Sequence, residues 1–172
     1  MKSLKIGDKV IYPNQGLGVV EAIQQQVYDG QQFQVYNLRI ICNNTLVTVP
    51  SATVLELGIR RPVTEDSIRK IFHFMGNGDV DVTTDWKGRY KEHLNLMKSG
   101  TLYDMATVLK SLYFLSLQKP LSFREKKMME KAKELIVSEI SETVAVPCSK
   151  IETKLLGTLS RSFKTAKARV AA

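Results

Sequence analysis

The sequence predicts an α+β chain: a small β-barrel at the N-terminus followed by an all-helical domain. Three observations predict it. Residues 4–58 form short runs of alternating apolar and polar residues cut by turn chemistry, whereas from Thr64 onward the apolar residues recur at helical spacing. Pro62 lies between the two patterns and disfavours helix at the residue before it, Arg61. The charge divides at the same place. Residues 1–60 carry five basic and four acidic groups, net +1, and residues 61–172 carry 20 and 13, net +7. The expected domains are therefore residues 1–60, residues 61–145, and a final 146–172 made of a short helix and a basic tail without fixed structure.

In the first domain, Lys5 to Tyr12 reads as a strand, and Pro13-Asn14-Gln15-Gly16 as the turn that ends it. Val19 to Ile23 and Gln24-Gln25-Gln26 continue a second run. Asp29-Gly30 is a hairpin signal, because a two-residue type I′ turn needs positive φ at both positions. Phe33 to Ile41 returns, Asn43-Asn44 turns again, and Thr45 to Val49 runs to a stop at Pro50. Five short strands in this length fit an SH3-like or Tudor-like barrel. Its four carboxylates are unpaired and it contains no histidine, so its use is to offer a strand edge or groove to a partner.

In the second domain, Thr64 caps a helix whose stripe is Ile68, Ile71, Phe72 and Met75, ended by Gly76-Asn77-Gly78. Thr84 or Asp85 caps the next, with Tyr90, Leu94 and Met97 on one face and Gly100 as its stop. Thr101 or Asp104 opens a third, lined by Leu102, Met105, Leu109, Leu112 and Tyr113. Ser122-Phe123-Arg124-Glu125 is a capping box, followed by Met128, Met129, Ala132, Leu135, Ile136 and Ile140 at helical spacing. Ser149 to Glu152 resembles a second capping box, and Ile151, Leu155 and Leu159 a short last helix. Lys154, Arg161, Lys164, Lys167 and Arg169 follow with no acid after Glu152, which suits a floppy tail or a non-specific nucleic-acid arm.

A net charge of +8 favours an anionic partner. Cys42 and Cys148 are too far apart to suggest a ligand pair; Cys42, in an apolar run, reads as a buried inert thiol in a reducing, cytoplasmic setting. His73 and His93 are not at metal-ligand spacing, Gly16-Leu17-Gly18 opens no helix, and no catalytic signature ties Ser, His and Asp together. The reading is a non-enzymatic chain with no cofactor and no metal. No signal peptide or 18-residue apolar window is expected either.

Trp86, the only tryptophan, is followed by Lys87, Arg89 and Lys91. Two readings stay open from these residues: a core anchor packed with Tyr90, or an apolar wedge whose neighbouring cations hold phosphate. Lys126 and Lys127 fall in the first turn of their helix, where they oppose the helix dipole and phosphate would suit them.

Gly7-Asp8, Val10-Ile11-Tyr12-Pro13, Gly16, Gly18 to Ile23 and Val47-Thr48-Val49-Pro50 resemble the polymerase-interaction domain of the CarD family of bacterial transcription regulators. A similar domain occurs in the transcription-repair coupling factor. Trp86, Arg89-Tyr90-Lys91, Leu94, Ser99-Gly100, Val108, Leu112, Leu121-Ser122 and Glu125-Lys126 resemble the CarD carboxy-terminal domain in the same order, and residues 1–142 carry the whole resemblance. It implies a monomer that binds the β subunit of bacterial RNA polymerase through its Tudor-like domain. It also implies that the helical domain meets promoter DNA at the upstream fork of the bubble, with Trp86 as a minor-groove wedge that stabilises the open complex. The implied DNA residues are Trp86, Lys87, Arg89, Lys91, Lys126 and Lys127. Gly88 stands where some members carry a basic residue. The implied polymerase contacts are Gln26, Tyr28 and Thr48; Gln26 and Thr48 stand where some members carry arginine, so backbone pairing and shape would carry that contact. The alternative is an adaptor on polymerase without direct DNA contact.

Overall fold

The fold is taken from a computed structural model, which describes residues 3–77 and 86–170. The chain forms two units, Met1–Pro62 and Val63–Ala172.

The first unit is a four-stranded antiparallel sheet in the order β1 (Lys9–Tyr12), β2 (Gly16–Tyr28), β3 (Gln31–Ile40), β4 (Thr45–Pro50). Among the described residues there are four strands where five were expected, one for each run read from the sequence, and the second, glutamines included, spans 13 residues. A register shift between Val20 and Ala22 marks a bulge there, which bends the strand. The β2–β3 hairpin turns on Asp29 and Gly30 with φ of 50° and 75°, the type I′ geometry that Asp-Gly signals. Leu4, Val10, Val20, Tyr36, Leu38, Val49, Val54 and Ile59 form the core. After a 3₁₀ turn (Ser51–Thr53), Arg60 pairs with Ile11 through backbone bonds of 2.7 and 3.1 Å. The chain is thereby drawn back along β1, and the unit ends at Pro62, two residues beyond the expected boundary. Cys42 departs from expectation. β3 ends at Ile40, so Cys42 falls in the following turn and is exposed.

The second unit holds α1 (Glu65–Gly76), α2 (Trp86–Ser99), α3 (Leu102–Ser116), α4 (Phe123–Val144) and α5 (Cys148–Val170). The side chains of Thr64 and Thr101 cap α1 and α3, each accepting a backbone N–H of the first turn. The Ser122–Glu125 capping box is present at α4. α3 is the central element, with Leu102, Met105, Ala106, Val108, Leu109, Leu112, Phe114 and Leu115 all buried. Lys110 is buried on the same helix. Its ammonium donates to the carbonyls of Phe74 (2.8 Å) and Asn77 (2.5 Å), so a cation caps the C-terminal end of α1 where the dipole favours one. Glu139 of α4, 1% exposed, accepts the Val63 N–H at 3.0 Å.

The expected short helix and loose tail are replaced by one 23-residue helix. Ile151, Leu155, Leu159 and Ser162 are buried, and the Phe163 ring meets Phe114 edge-on at 5.2 Å. An apolar stripe of this length is enough to hold the helix on the core, whatever charge its other face carries. Ser149 lies inside α5, not at its cap; Pro147 supplies the carbonyl that receives the Ile151 N–H. Among the described residues, no helix is long and apolar enough to cross a membrane.

Candidate nucleic-acid interface

The first turns of α2 and α4 are joined by one carboxylate. Glu125 sits at the third position of α4, and its Oε2 accepts the Ser122 N–H (3.0 Å) and hydroxyl (2.8 Å), which completes the capping box. The same group's Oε1 accepts the Arg89 guanidinium at 2.7 Å. Arg89 is 3% exposed and Glu125 7%. A charge-assisted bond of this length between two groups out of water fixes both helix starts in place.

This corrects the expected role of Arg89. Its guanidinium faces inward onto Glu125 and does not present itself to phosphate. The buried stripe of α2 is accordingly Arg89, His93 and Met97, while Leu94, expected on that face, is 37% exposed. Helical spacing selected the other apolar residues because it could not know that a charge would be paired internally.

Lys87 and Lys91 flank Arg89 and are exposed; Lys126 and Lys127 directly follow Glu125 and are exposed too. The Arg89–Glu125 pair ties α2, which carries the exposed Lys87 and Lys91, to the start of α4, which carries the exposed Lys126 and Lys127. Trp86 is the first residue of α2; its side chain, and the proposed caps Thr84 and Asp85, lie outside the described residues. Phe123 was missed from sequence. It stands beside the capping serine, is 71% exposed, and carries the Lys127 ammonium 4.6 Å over its ring. The available signal was an aromatic residue off the apolar stripe of α4. Phe123, Lys126, Lys127, Glu130, Lys131 and Glu134 line a shallow groove. Farther along α4 the charges pair off, Lys131 with Glu134 and Lys133 with Glu130.

Two titrating groups sit at this junction. Burial raises the Glu125 carboxyl, but the hydrogen bonds from Arg89 and from the Ser122 N–H and hydroxyl, with the Arg89 charge, outweigh it and hold the group below its ordinary 4.5. Burial is the chief cause that holds the His93 imidazole below its ordinary 6.5; the Arg89 charge acts the same way and Glu92 and Glu125 oppose it. Both lowered values remove stability in acid, since the unfolded chain takes up protons the folded chain refuses. The loss starts as pH falls below about 6.5 through His93 and deepens below about 4.5 through Glu125. Melting temperature measured against pH should show both stages, and His93→Leu should remove the first. A flat profile between pH 7 and pH 4 would contradict the assignment.

The implied polymerase residues are arranged differently. Gln26 pairs with Phe33 and Thr48 with Asn37, so both lie on the outward face of the sheet but are separated by β3 and by four positions along it. Both are exposed, and the Thr48 hydroxyl bonds Asn37 at 3.0 Å. Tyr28 is the last residue of β2, and its side chain lies outside the described residues. β4, with Thr48 and the half-exposed Leu46, is an edge strand of the sheet. Among the described residues, no group of His, Cys, Asp and Glu side chains could hold a metal ion.

Residues 4–63 match the family model described as the CarD-like/TRCF RID domain, and residues 70–156 match that of the CarD C-terminal domain. The chain belongs to the CarD family. YdeB of Bacillus subtilis (strain 168), named as a candidate transcription factor, is 34% identical over 137 residues, covering 79% of this chain and 89% of that protein. A solution structure of the 72-residue N-terminal domain of Myxococcus xanthus CarD is 37% identical, covering 34% of this chain and 79% of that domain, with a TM-score of 0.30. The CarD family is one of transcription regulators and not an enzyme family. Both CarD domains are present here in one chain, in the order the sequence resemblance gave.

Proposed function

We propose that this CarD-family protein binds the β subunit of RNA polymerase through residues 1–62 and contacts promoter DNA at the upstream fork through its helical unit, stabilising the open complex. One observation carries the DNA half. The Arg89–Glu125 pair links the start of the Trp86 helix to the start of α4, and the two linked helices carry the exposed lysines Lys87, Lys91, Lys126 and Lys127. Exposed cations of this kind hold phosphate, and an apolar ring beside them in the sequence can enter or abut a base step. Arg89 acts as a positioning residue for that surface. For polymerase, β4 is an edge strand suited to strand addition, with Thr48 and the exposed Leu46 on it.

The salt dependence of duplex binding tests the lysines. Each phosphate neutralised contributes about −0.9 to the slope of log affinity against log salt, so Lys126→Gln with Lys127→Gln should flatten it by about two. No flattening would mean that these lysines are spectators.

The adaptor reading draws on the paired charges farther along α4, where Lys131 and Lys133 are engaged by Glu134 and Glu130. It predicts that polymerase is bound normally while the wild-type protein leaves promoter opening unchanged. A reconstituted opening assay with polymerase, promoter and the full chain separates the two.

A further inference from the structure

We propose that the exposed basic face of α5 is a second DNA-binding site, one that takes the phosphate backbone of duplex DNA without regard to sequence. It is separate from the α2–α4 junction. At about 100° per residue, Lys150, Lys154, Arg161 and Lys164 fall within about 80° of one another around the helix, and they span about 21 Å along it at about 1.5 Å per residue. All four are exposed. The buried stripe, Ile151, Leu155, Leu159 and Ser162, occupies a different face, so the cations are not there to pack.

Further observations point to an anionic occupant. α5 contains one acid, Glu152, and that acid is taken by Lys133 of α4 at 2.9 Å. Among the described residues no ion pair engages any of the four cations, although Lys154 lies 4.6 Å over the Phe72 ring and Arg161 Nε reaches its own helix at the Gly157 carbonyl. Lys150 stands in the first turn, where the helix dipole disfavours a cation, and no acid offsets it there. Gly157 lies between Lys154 and Arg161 on the exposed side, and a Cβ there would meet nothing. An interior helix glycine with no packing reason is unfavourable against alanine. Here it leaves the backbone bare at the middle of the cationic row, where a phosphate chain could approach closely. A linear row of about 21 Å suits a polyanion carrying a charge every 1.7 Å or so along its axis. The CarD C-terminal match stops at residue 156, before Arg161 and Lys164.

The test measures binding of the full chain to a labelled, fully paired duplex of arbitrary sequence by fluorescence anisotropy across a salt series. The first variant combines Lys150→Gln, Lys154→Gln, Arg161→Gln and Lys164→Gln. The second combines Lys150→Arg, Lys154→Arg and Lys164→Arg. The glutamine variant should flatten the salt slope by about three to four, at about 0.9 per phosphate, while the arginine variant keeps the wild-type slope. Melting temperatures of both should stay close to wild type, since all the changes are on the surface. An unchanged slope in the glutamine variant would overturn the proposal. So would loss of binding to anionic phospholipid vesicles with duplex binding intact, which would make the face a membrane contact. The Lys126→Gln/Lys127→Gln protein, run alongside, separates this site from the first: flattening there but not in the α5 variant removes only α5, and the converse removes only the α2–α4 surface.

Discussion

Arg89→Ala is expected to lower the stability of the helical unit by about 3–5 kcal/mol, the usual cost of leaving one half of a buried ion pair uncompensated. Glu125 would keep its bonds to Ser122, but its Oε1 would be left in a buried site without the guanidinium 2.7 Å away. At about 2–4 °C per kcal/mol for a chain of this size, the melting temperature should fall by roughly 6–20 °C. Two companion proteins give the loss its cause. Arg89→Lys keeps the charge without the planar fork and should fall between wild type and alanine. Arg89→Met with Glu125→Gln removes both charges while glutamine still completes the capping box, so it should regain much of the stability. If Arg89→Ala melted like wild type and only duplex affinity fell, Arg89 would be a phosphate contact and the internal pair would not matter.

The second large effect is expected at Trp86. Trp86→Ala should shorten the open-complex lifetime by roughly 5- to 150-fold, because contact of an aromatic ring with a base is worth about 1–3 kcal/mol and each 1.4 kcal/mol is about tenfold. The fold itself should lose about 1 kcal/mol or less, as surface changes do. Were the ring a core anchor, truncation would instead cost about 3–5 kcal/mol. Trp86→Phe and Trp86→Leu should restore part of the lifetime, since apolar wedges of either shape enter base steps. Polymerase affinity should not change, because its proposed surface belongs to the other unit.

The elements of this protein were largely legible as sequence, and the polar partnerships much less so. Asp29-Gly30 specified its hairpin because only a few residues tolerate positive φ twice in succession. Ser122 and Glu125 specified the start of α4 because their bonds are local. The second oxygen of Glu125 was not legible, since its partner Arg89 lies 36 residues away and periodicity carries no information about pairing at that range. The same limit hid Lys110, which looks like a surface lysine until α1 ends against it, and it misdirected the face of α2 toward Leu94. α5 shows a different failure. Its stripe of Ile151, Leu155 and Leu159 was visible, but the density of cations suggested an unstructured tail, when a helix can carry its charge on one face and its packing on another. Of the candidate DNA residues, Lys87, Lys91, Lys126 and Lys127 are exposed and Arg89 is buried.

The most direct test of the central claim is the dissociation rate of a polymerase–promoter open complex after competitor challenge, with no added protein, with the wild-type chain and with Trp86→Ala. The account predicts a longer lifetime with the wild-type chain and most of that gain lost with Trp86→Ala, although both are retained equally by polymerase. An open-complex lifetime unchanged by wild-type protein that is demonstrably bound to polymerase would contradict it.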